Sequence, residues 1–219
     1  MKTKILSAIL VVLLGVSMFV LTGCVKVNNA ETPVETKQEE KVEKIDDNSS
    51  YFVKVKGQTF KAGDKIADLT KVGIKQNEKS KEEKVKKNTY VIGAGTMYNE
   101  NDKRVFSMTP YNATDAEITV KDAVIGGFEA GEVEYAKIPQ EVLDLNIEVV
   151  GGIKFGDSLE TVKAVLGEES SQYHADSLGY TSYTFKSKQV YRSYDITIDK
   201  EGKVSKIGWQ NLVFNKDEK

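Results

Sequence analysis

Lys154-Phe155-Gly156-Asp157-Ser158-Leu159-Glu160-Thr161-Val162-Lys163-Ala164-Val165-Leu166-Gly167 is the stretch whose reading decides the fold. Leu159, Val162, Val165 and Leu166 recur at i, i+3, i+6 and i+7, which is one face of a helix. Asp157 is placed to cap the free amides at the helix start, with Glu160 three residues on as in a capping box. Gly167 fits the left-handed position after the last turn. The same string stands 93 residues earlier, as Lys61-Ala62-Gly63-Asp64 followed by Ile66, Leu69 and Val72 and closed by Gly73. The shared pattern, Lys-x-Gly-Asp-x-(Ile/Leu)-x-x-(Leu/Val)-x-x-Val, points to a duplicated unit. Two unrelated capped helices are the plainer alternative. Gly63, Asp64, Gly156 and Asp157 are the expected caps of the repeat.

Working outward, each helix is followed by strand-like sequence. Residues 52–60 alternate as a strand and turn ahead of the first helix. Strands are expected at 89–92, 104–108, 117–120 and 123–128 in the first unit, and at 181–185, 190–198 and 203–209 in the second. Asp199-Lys200-Glu201-Gly202 is a turn between the last two. Residues 76–88 are a charged insert, expected as a solvated helix or loop. Neighbouring strands on short turns predict an α+β fold, each unit a short helix on an antiparallel sheet. The units are placed at 51–131 and 147–214, with a connector at 132–146 and a tail at 215–219.

Gly156 to Gly167 resembles the Gly-x-(Ser/Thr)-x-x-x-Val-x-x-x-Leu-Gly helix of the beta-lactamase-inhibitor-like superfamily, which includes small lipoproteins of outer-membrane assembly. Its members continue with an aromatic strand, a long strand, an acidic-Gly turn and a strand ending in an aromatic residue. Tyr180 to Phe185, Tyr191 to Ile198, Asp199 to Gly202 and Val204 to Trp209 fill those places. The resemblance covers about residues 150–210, and the first unit only through its Gly63-Asp64 helix. Glu168 and Glu169 stand where the family often has proline. The whole chain also resembles two-unit lipoproteins of Gram-positive bacteria. The resemblance implies a fold and no catalytic residues, because this fold serves inhibition and assembly alike.

The N-terminus reads as an address. Lys2 and Lys4 precede an uncharged, apolar or small run at residues 5–21. Seventeen helical residues span only ~26 Å against a ~30 Å bilayer core, so the run reads as a signal peptide over 1–23. Leu21-Thr22-Gly23-Cys24 resembles a bacterial lipobox, which implies a diacylglyceryl group on the Cys24 sulfur and cleavage before it. Two acyl chains make a stable anchor. A plain signal peptide with an incidental cysteine is the alternative. Residues 24–50 hold seven acids, four lysines and no aromatic residue, the composition of a disordered tether. The expected location is the outer face of the cell membrane.

Composition narrows the chemistry. The 219-residue chain has net charge −2. Removing residues 1–23 deletes Lys2 and Lys4 and no acid, leaving about −4, a balance with no electrostatic footprint for nucleic acid. With one cysteine and one histidine, neither an internal disulfide nor a soft-metal site is expected. Gly93-Ala94-Gly95 lacks the third glycine and following helix of a dinucleotide site. The acidic turns at 99–102 and 199–202 lack EF-hand spacing. His174 reads as a solvated loop residue with no paired nucleophile, and Glu168-Glu169 as a solvated pair without the cleft that glycoside chemistry needs. No cofactor and no metal are expected.

The aromatic residues are the functional lead. Along 190–198, alternation puts Val190, Arg192, Tyr194, Ile196 and Ile198 on a core-facing side and Tyr191, Ser193, Asp195 and Thr197 on an open one. Tyrosine offers rigid contact area with a polar tip, although sheet packing uses the same residues. Tyr191, Tyr183 and Tyr180 are the candidate binding residues. The chain reads as a membrane-anchored, non-enzymatic protein-binding or scaffolding lipoprotein with a protein partner. The alternatives are a cell-envelope hydrolase using carboxylates and a small-ligand-binding lipoprotein.

Overall fold

A computed structural model of the chain describes residues 45–131 and 137–212. The signal segment, Cys24, the tether as far as residue 44, connector residues 132–136 and the tail from 213 lie outside the described residues. A single helical turn, Asn48–Ser50, opens the fold, its amide at Ser49 capped by Asp47. Strands β1 (Phe52–Val55) and β2 (Gln58–Lys61) form the expected hairpin. Lys56 and Gly57 turn it with φ of 47° and 82°. The first repeat helix, Ile66–Val72, is wound as a 3-10 helix, and Gly73 ends it in the left-handed region. Then come β3 (Lys75–Gln76), β4 (Lys84–Val85), β5 (Thr96–Tyr98), β6 (Arg104–Tyr111), β7 (Ile118–Thr119) and β8 (Val124–Gly131). The chain continues through α1 (Gln140–Leu143), α2 (Leu159–Leu166), β9 (Ser171–Ala175), β10 (Tyr180–Lys186), β11 (Arg192–Asp199) and β12 (Val204–Asn211).

Among the described residues, eight strands form one antiparallel sheet in the order β3-β5-β6-β8-β12-β11-β10-β9. The fold is mixed helix and sheet, dominated by that sheet. Strands from 51–131 and from 147–214 meet at its centre, where β8 runs antiparallel to β12 with Glu129 opposite Gly208. Side chains of register partners share a face. One face therefore carries Met97, Phe106, Met108, Phe128, Trp209, Tyr194 and Phe185, all buried. The helices and the β1–β2 hairpin cover this face, and their Tyr51, Val53, Phe60, Leu69, Val162 and Leu166 join the same core. Tyr51 stacks on Tyr194 at 5.4 Å and meets Trp209 edge-on at 6.1 Å.

The two Gly-Asp turns dock on the two central strands through the same pair of backbone bonds. Gly63 N–H donates to Ile125 O, and Ile125 N–H to Asp64 O. Gly156 N–H donates to Val204 O, and Val204 N–H to Asp157 O. Asp64 Oδ2 accepts the Lys61 amide at 2.8 Å, and Asp157 Oδ2 the Lys154 amide at 3.0 Å. The aspartates thus close the turns before the helices and do not cap the helices, contrary to what the spacing predicts. The capping residue of α2 is Ser158, whose hydroxyl accepts the Thr161 amide. Lys65 takes the corresponding place in the first helix without a side-chain bond. Gly167 has φ 85° and ψ −154°, outside the left-handed helical region but equally a glycine conformation.

Several expected elements differ. Of 89–92, only Tyr90 pairs, with Tyr111. The polar stretch around His174 is an edge strand, β9, pairing along β10. The charged insert at 76–88 contributes β3 at its start and β4, which pairs with β7. β3, β4 and β7 have two residues each, too few to show alternation.

Candidate functional site

The face of the sheet away from the helices is solvent-facing and polar. Register aligns Thr96, Ser107, Glu129, Gly208, Asp195, Thr184 and Ser171 in one row across seven strands. Glu129 pairs with Lys206 at 2.8 Å. Asp195 is held by hydroxyls, 2.7 Å from Thr184 Oγ1 and 3.4 Å from Ser193 Oγ. Ser182 and Thr197 share a hydrogen bond of 2.9 Å in the next row. At the row's centre Gly208 leaves a shallow floor. A Cβ there would meet nothing closer than Phe128 O at 3.4 Å. An antiparallel sheet with one covered face and one wet face is an ordinary arrangement, so wetness alone assigns no role. The feature that stands out is a hydroxyl-lined surface with a glycine centre on a rigid aromatic core.

The three candidate tyrosines do not form one patch. Tyr180 lies on the open face at the Asp199 end of β10. Tyr183 has the opposite parity and packs against the core. Tyr191 precedes β11, in a turn with φ 66°, and is 66% exposed. It stands beyond the far end of the sheet from Tyr180, roughly 20 Å along a seven-residue strand. The expected division of 192–198 is observed except at Thr197: Tyr194, Ile196 and Ile198 are buried and Ser193 and Asp195 face out, whereas Thr197, expected on the open face, is buried and hydrogen-bonded to Ser182. The alternation from 190 runs two residues too far, through Val190 and Tyr191, because the strand begins at Arg192. Tyr173, whose register partner is Ser182, also lies on the open face, and it is 65% exposed.

The groups weighed for chemistry take structural places. Lys163 Nζ holds both Glu168 and Glu169, at 2.9 Å and 2.6 Å. The hydrogen bond from Lys163 keeps the Glu169 carboxyl below its usual range, so it has no proton to give at neutral pH. His174 Nδ1 bonds Thr181 Oγ1, and its Nε2 lies 3.1 Å from Asp176 Oδ1. The order of groups is that of a nucleophile relay, but Thr181 faces the core side and is only 9% exposed. Asp176 stands almost wholly in water. Among the described residues no group of three or more His, Cys, Asp or Glu could hold a metal ion, and no helix is long and apolar enough to cross a membrane.

Two features were not legible in the sequence. The first is a clasp between the start of the domain and the β10–β11 turn. Asp46 Oδ1 accepts from Ser187 Oγ at 2.6 Å and the Lys188 amide at 2.7 Å, while Arg192 donates to Asp46 O. Partial burial raises the Asp46 carboxyl, but the Ser187 and Lys188 bonds and the Lys188 charge outweigh it, leaving it below its ordinary value. The second is an apolar pocket of about 210 Å³ between the first helix and β3, lined by Ile66, Ile74 and Met97 with Lys81 and Lys121 at its rim. Gln76 lines it too, with its side chain buried and Nε2 unpartnered.

Comparison with known proteins finds no matching family model, no similar curated protein and no similar solved structure.

Proposed function

We infer that the protein is a lipid-anchored, extracytoplasmic lipoprotein that binds a protein partner through the open face of its sheet and performs no catalysis. The lipobox-like Leu21-Thr22-Gly23-Cys24 supports the anchor. The observation that carries the binding role is the polar row centred on Glu129 and Gly208. Strands β6, β8, β12, β11 and β10 alone present about 24 Å by 26 Å, roughly 600 Å², before β5 and β9 are added. A standard interface buries ~800 Å² per partner. The core behind this face fixes its shape before a partner arrives, which lowers the ordering cost of binding. Asp195, held by hydroxyls, favours a partner with a basic group opposite it. Tyr180 and Tyr173 are the aromatic contacts at its rim.

The tandem-unit reading belongs to the same proposal. Its support is the matched docking of the Gly63-Asp64 and Gly156-Asp157 turns on β8 and β12, together with the resemblance of 150–210 to the beta-lactamase-inhibitor-like superfamily. The relation is self-consistent. Matching Ile125 with Val204 matches Glu129 with Gly208, which are also register partners across the central pair. That is the arrangement a two-fold relation between duplicated units requires.

The test is capture from the source cell's envelope with the intact lipidated chain and with Gly208→Lys, which fills the centre of the face. A saturable partner lost in the variant supports the reading. A partner retained by the variant removes the face from it.

A small-ligand role is the second reading, resting on the pocket beside Gln76. A cavity of ~150 Å³ holds benzene, so this one fits a ring or a short alkyl chain bearing an acceptor for Gln76 Nε2. Calorimetric titration with hexanoate tests it. Binding abolished by Gln76→Leu supports it, and no heat at millimolar hexanoate counts against it.

A further inference from the structure

Exposed apolar side chains gather at one end of the sheet. Register places the end of β6 (Tyr111), the start of β8 (Val124), the end of β12 (Asn211) and the start of β11 (Arg192) at the same edge. Tyr90 is bridged to Tyr111, and Ile92 follows it, 81% exposed. Across the strand ends, Val190 is 69% exposed and Tyr191 66%, and Tyr191 O accepts the Leu212 amide. Four of the six large apolar or aromatic side chains exposed among the described residues, Tyr90, Ile92, Val190 and Tyr191, thus stand at this end. The positive φ of Tyr191 is uncommon for a side chain of its size, and the Asp46 clasp on Ser187 and Lys188 fixes the turn that carries it.

The described chain, which begins at Ile45, starts at this same end. Asp46 is bound to Ser187, Lys188 and Arg192, and Asn48 to Asn211. Lys86, Lys87, Lys186, Lys188 and Arg192 stand at this end, against Asp46, Asp47, Asp115 and Glu117. The local balance is therefore slightly positive on a chain that is negative as a whole.

We propose that this end of the domain rests on the lipid surface, with Ile92, Val190 and Tyr191 entering the headgroup region. The proposal rests on the lipid-anchor reading. The twenty residues between Cys24 and Ile45 reach at most ~70 Å, which bounds how far from the membrane a lipid on Cys24 lets the domain stand. At the high effective concentration a tether provides, a few apolar contacts too weak to recruit a free protein suffice to orient a tethered one. Tyrosine sits well at such an interface because its ring is apolar and its tip polar. Resting on this edge leaves the sheet faces standing away from the headgroups, open to a partner from the side.

The experiment uses the intact lipidated chain in vesicles of equal parts phosphatidylglycerol and phosphatidylcholine. The chain has one cysteine, whose sulfur is consumed by lipidation, so a cysteine placed by Val190→Cys, Ile92→Cys or Glu201→Cys takes a fluorophore alone. Glu201 is exposed in the turn at the opposite end. Nitroxide-bearing lipid is expected to quench labels at 190 and 92 several-fold more than at 201. Replacing Ile92 and Tyr191 with serine should reduce quenching at 190 to the level at 201. Equal quenching at all three sites, with the protein floating with the vesicles and the lipid on Cys24 seen by mass, overturns the membrane-resting proposal and leaves the anchor standing. Absence of lipid on Cys24 overturns both. Labels at 190 shielded by self-association, without lipid quenching, assign the end to a second copy instead.

Discussion

Glu129 and Gly208 face each other where β8 meets β12, and a Cβ built on Gly208 would lie 3.8 Å from Glu129 Cγ. One residue of the central pair carries a charge tied to Lys206, and the other carries no side chain. The middle of the open face is therefore a shallow step beside an ion pair, with room for a Cβ at ordinary contact distance.

That room separates two kinds of glycine substitution. Gly208→Ser places its Cβ at ordinary contact distances and should change stability by less than about 1 kcal/mol. Gly95→Ala puts a Cβ 1.8 Å from Met108 O, a backbone atom that cannot swing aside. It should destabilise by at least ~2 kcal/mol, since overpacking forces the backbone to move. Urea titrations of both variants check the contrast.

Trp209 is 1% exposed and joins Tyr51 and Phe128 in the aromatic core behind the open face. Trp209→Ala should cost about 3–5 kcal/mol. The expected signature is a lower urea midpoint. If the midpoint were unchanged, the core would not depend on this ring.

The Asp46 clasp should show itself in acid. Its carboxyl titrates lower in the folded chain than unfolded, so its contribution to stability is present above the unfolded value, ~4, and lost as pH falls through the folded one. Asp46→Asn should lower stability at neutral pH and flatten the acid limb of the stability curve. Parallel curves for the two proteins would show that the clasp does not titrate.

Caps and turns can be told apart at α2. Ser158→Ala should cost ~1 kcal/mol by freeing the Thr161 amide. Asp157→Ala removes the bond to the Lys154 amide and should loosen the docking of the turn on β12. Amide exchange distinguishes them: faster exchange at Thr161 in the first variant, and at Lys154 and Val204 in the second.

The antiparallel meander β10-β11-β12 was legible because Tyr194, Ile196 and Ile198 alternate with polar residues over a full strand. β9 was not, since Ser171 to His174 are exposed on both faces of an edge strand and show no period. The Gly-Asp repeat was legible as a pattern. The role of its aspartates was not, because a carboxylate before a helix can bond backward to a turn as readily as forward to a cap. The join of the strands into one sheet depends on β8 pairing with β12, some eighty residues apart, and no local periodicity encodes that. The clasp from Asp46 to Ser187 spans 141 residues, which hides it equally well. Tyr191 was assigned to the open face by counting parity through a turn, where the alternation of a strand no longer holds.

The most direct measurement is cross-linked capture in the source cell's envelope with the intact lipidated chain, comparing the native protein with Gly208→Lys. The account predicts a partner that saturates on the native protein, competes with unlabelled chain and is lost from the variant, with both proteins equally folded and equally membrane-bound. A partner held equally by both, or none held by the native protein at micromolar concentration, contradicts the assignment of binding to the open face of the sheet.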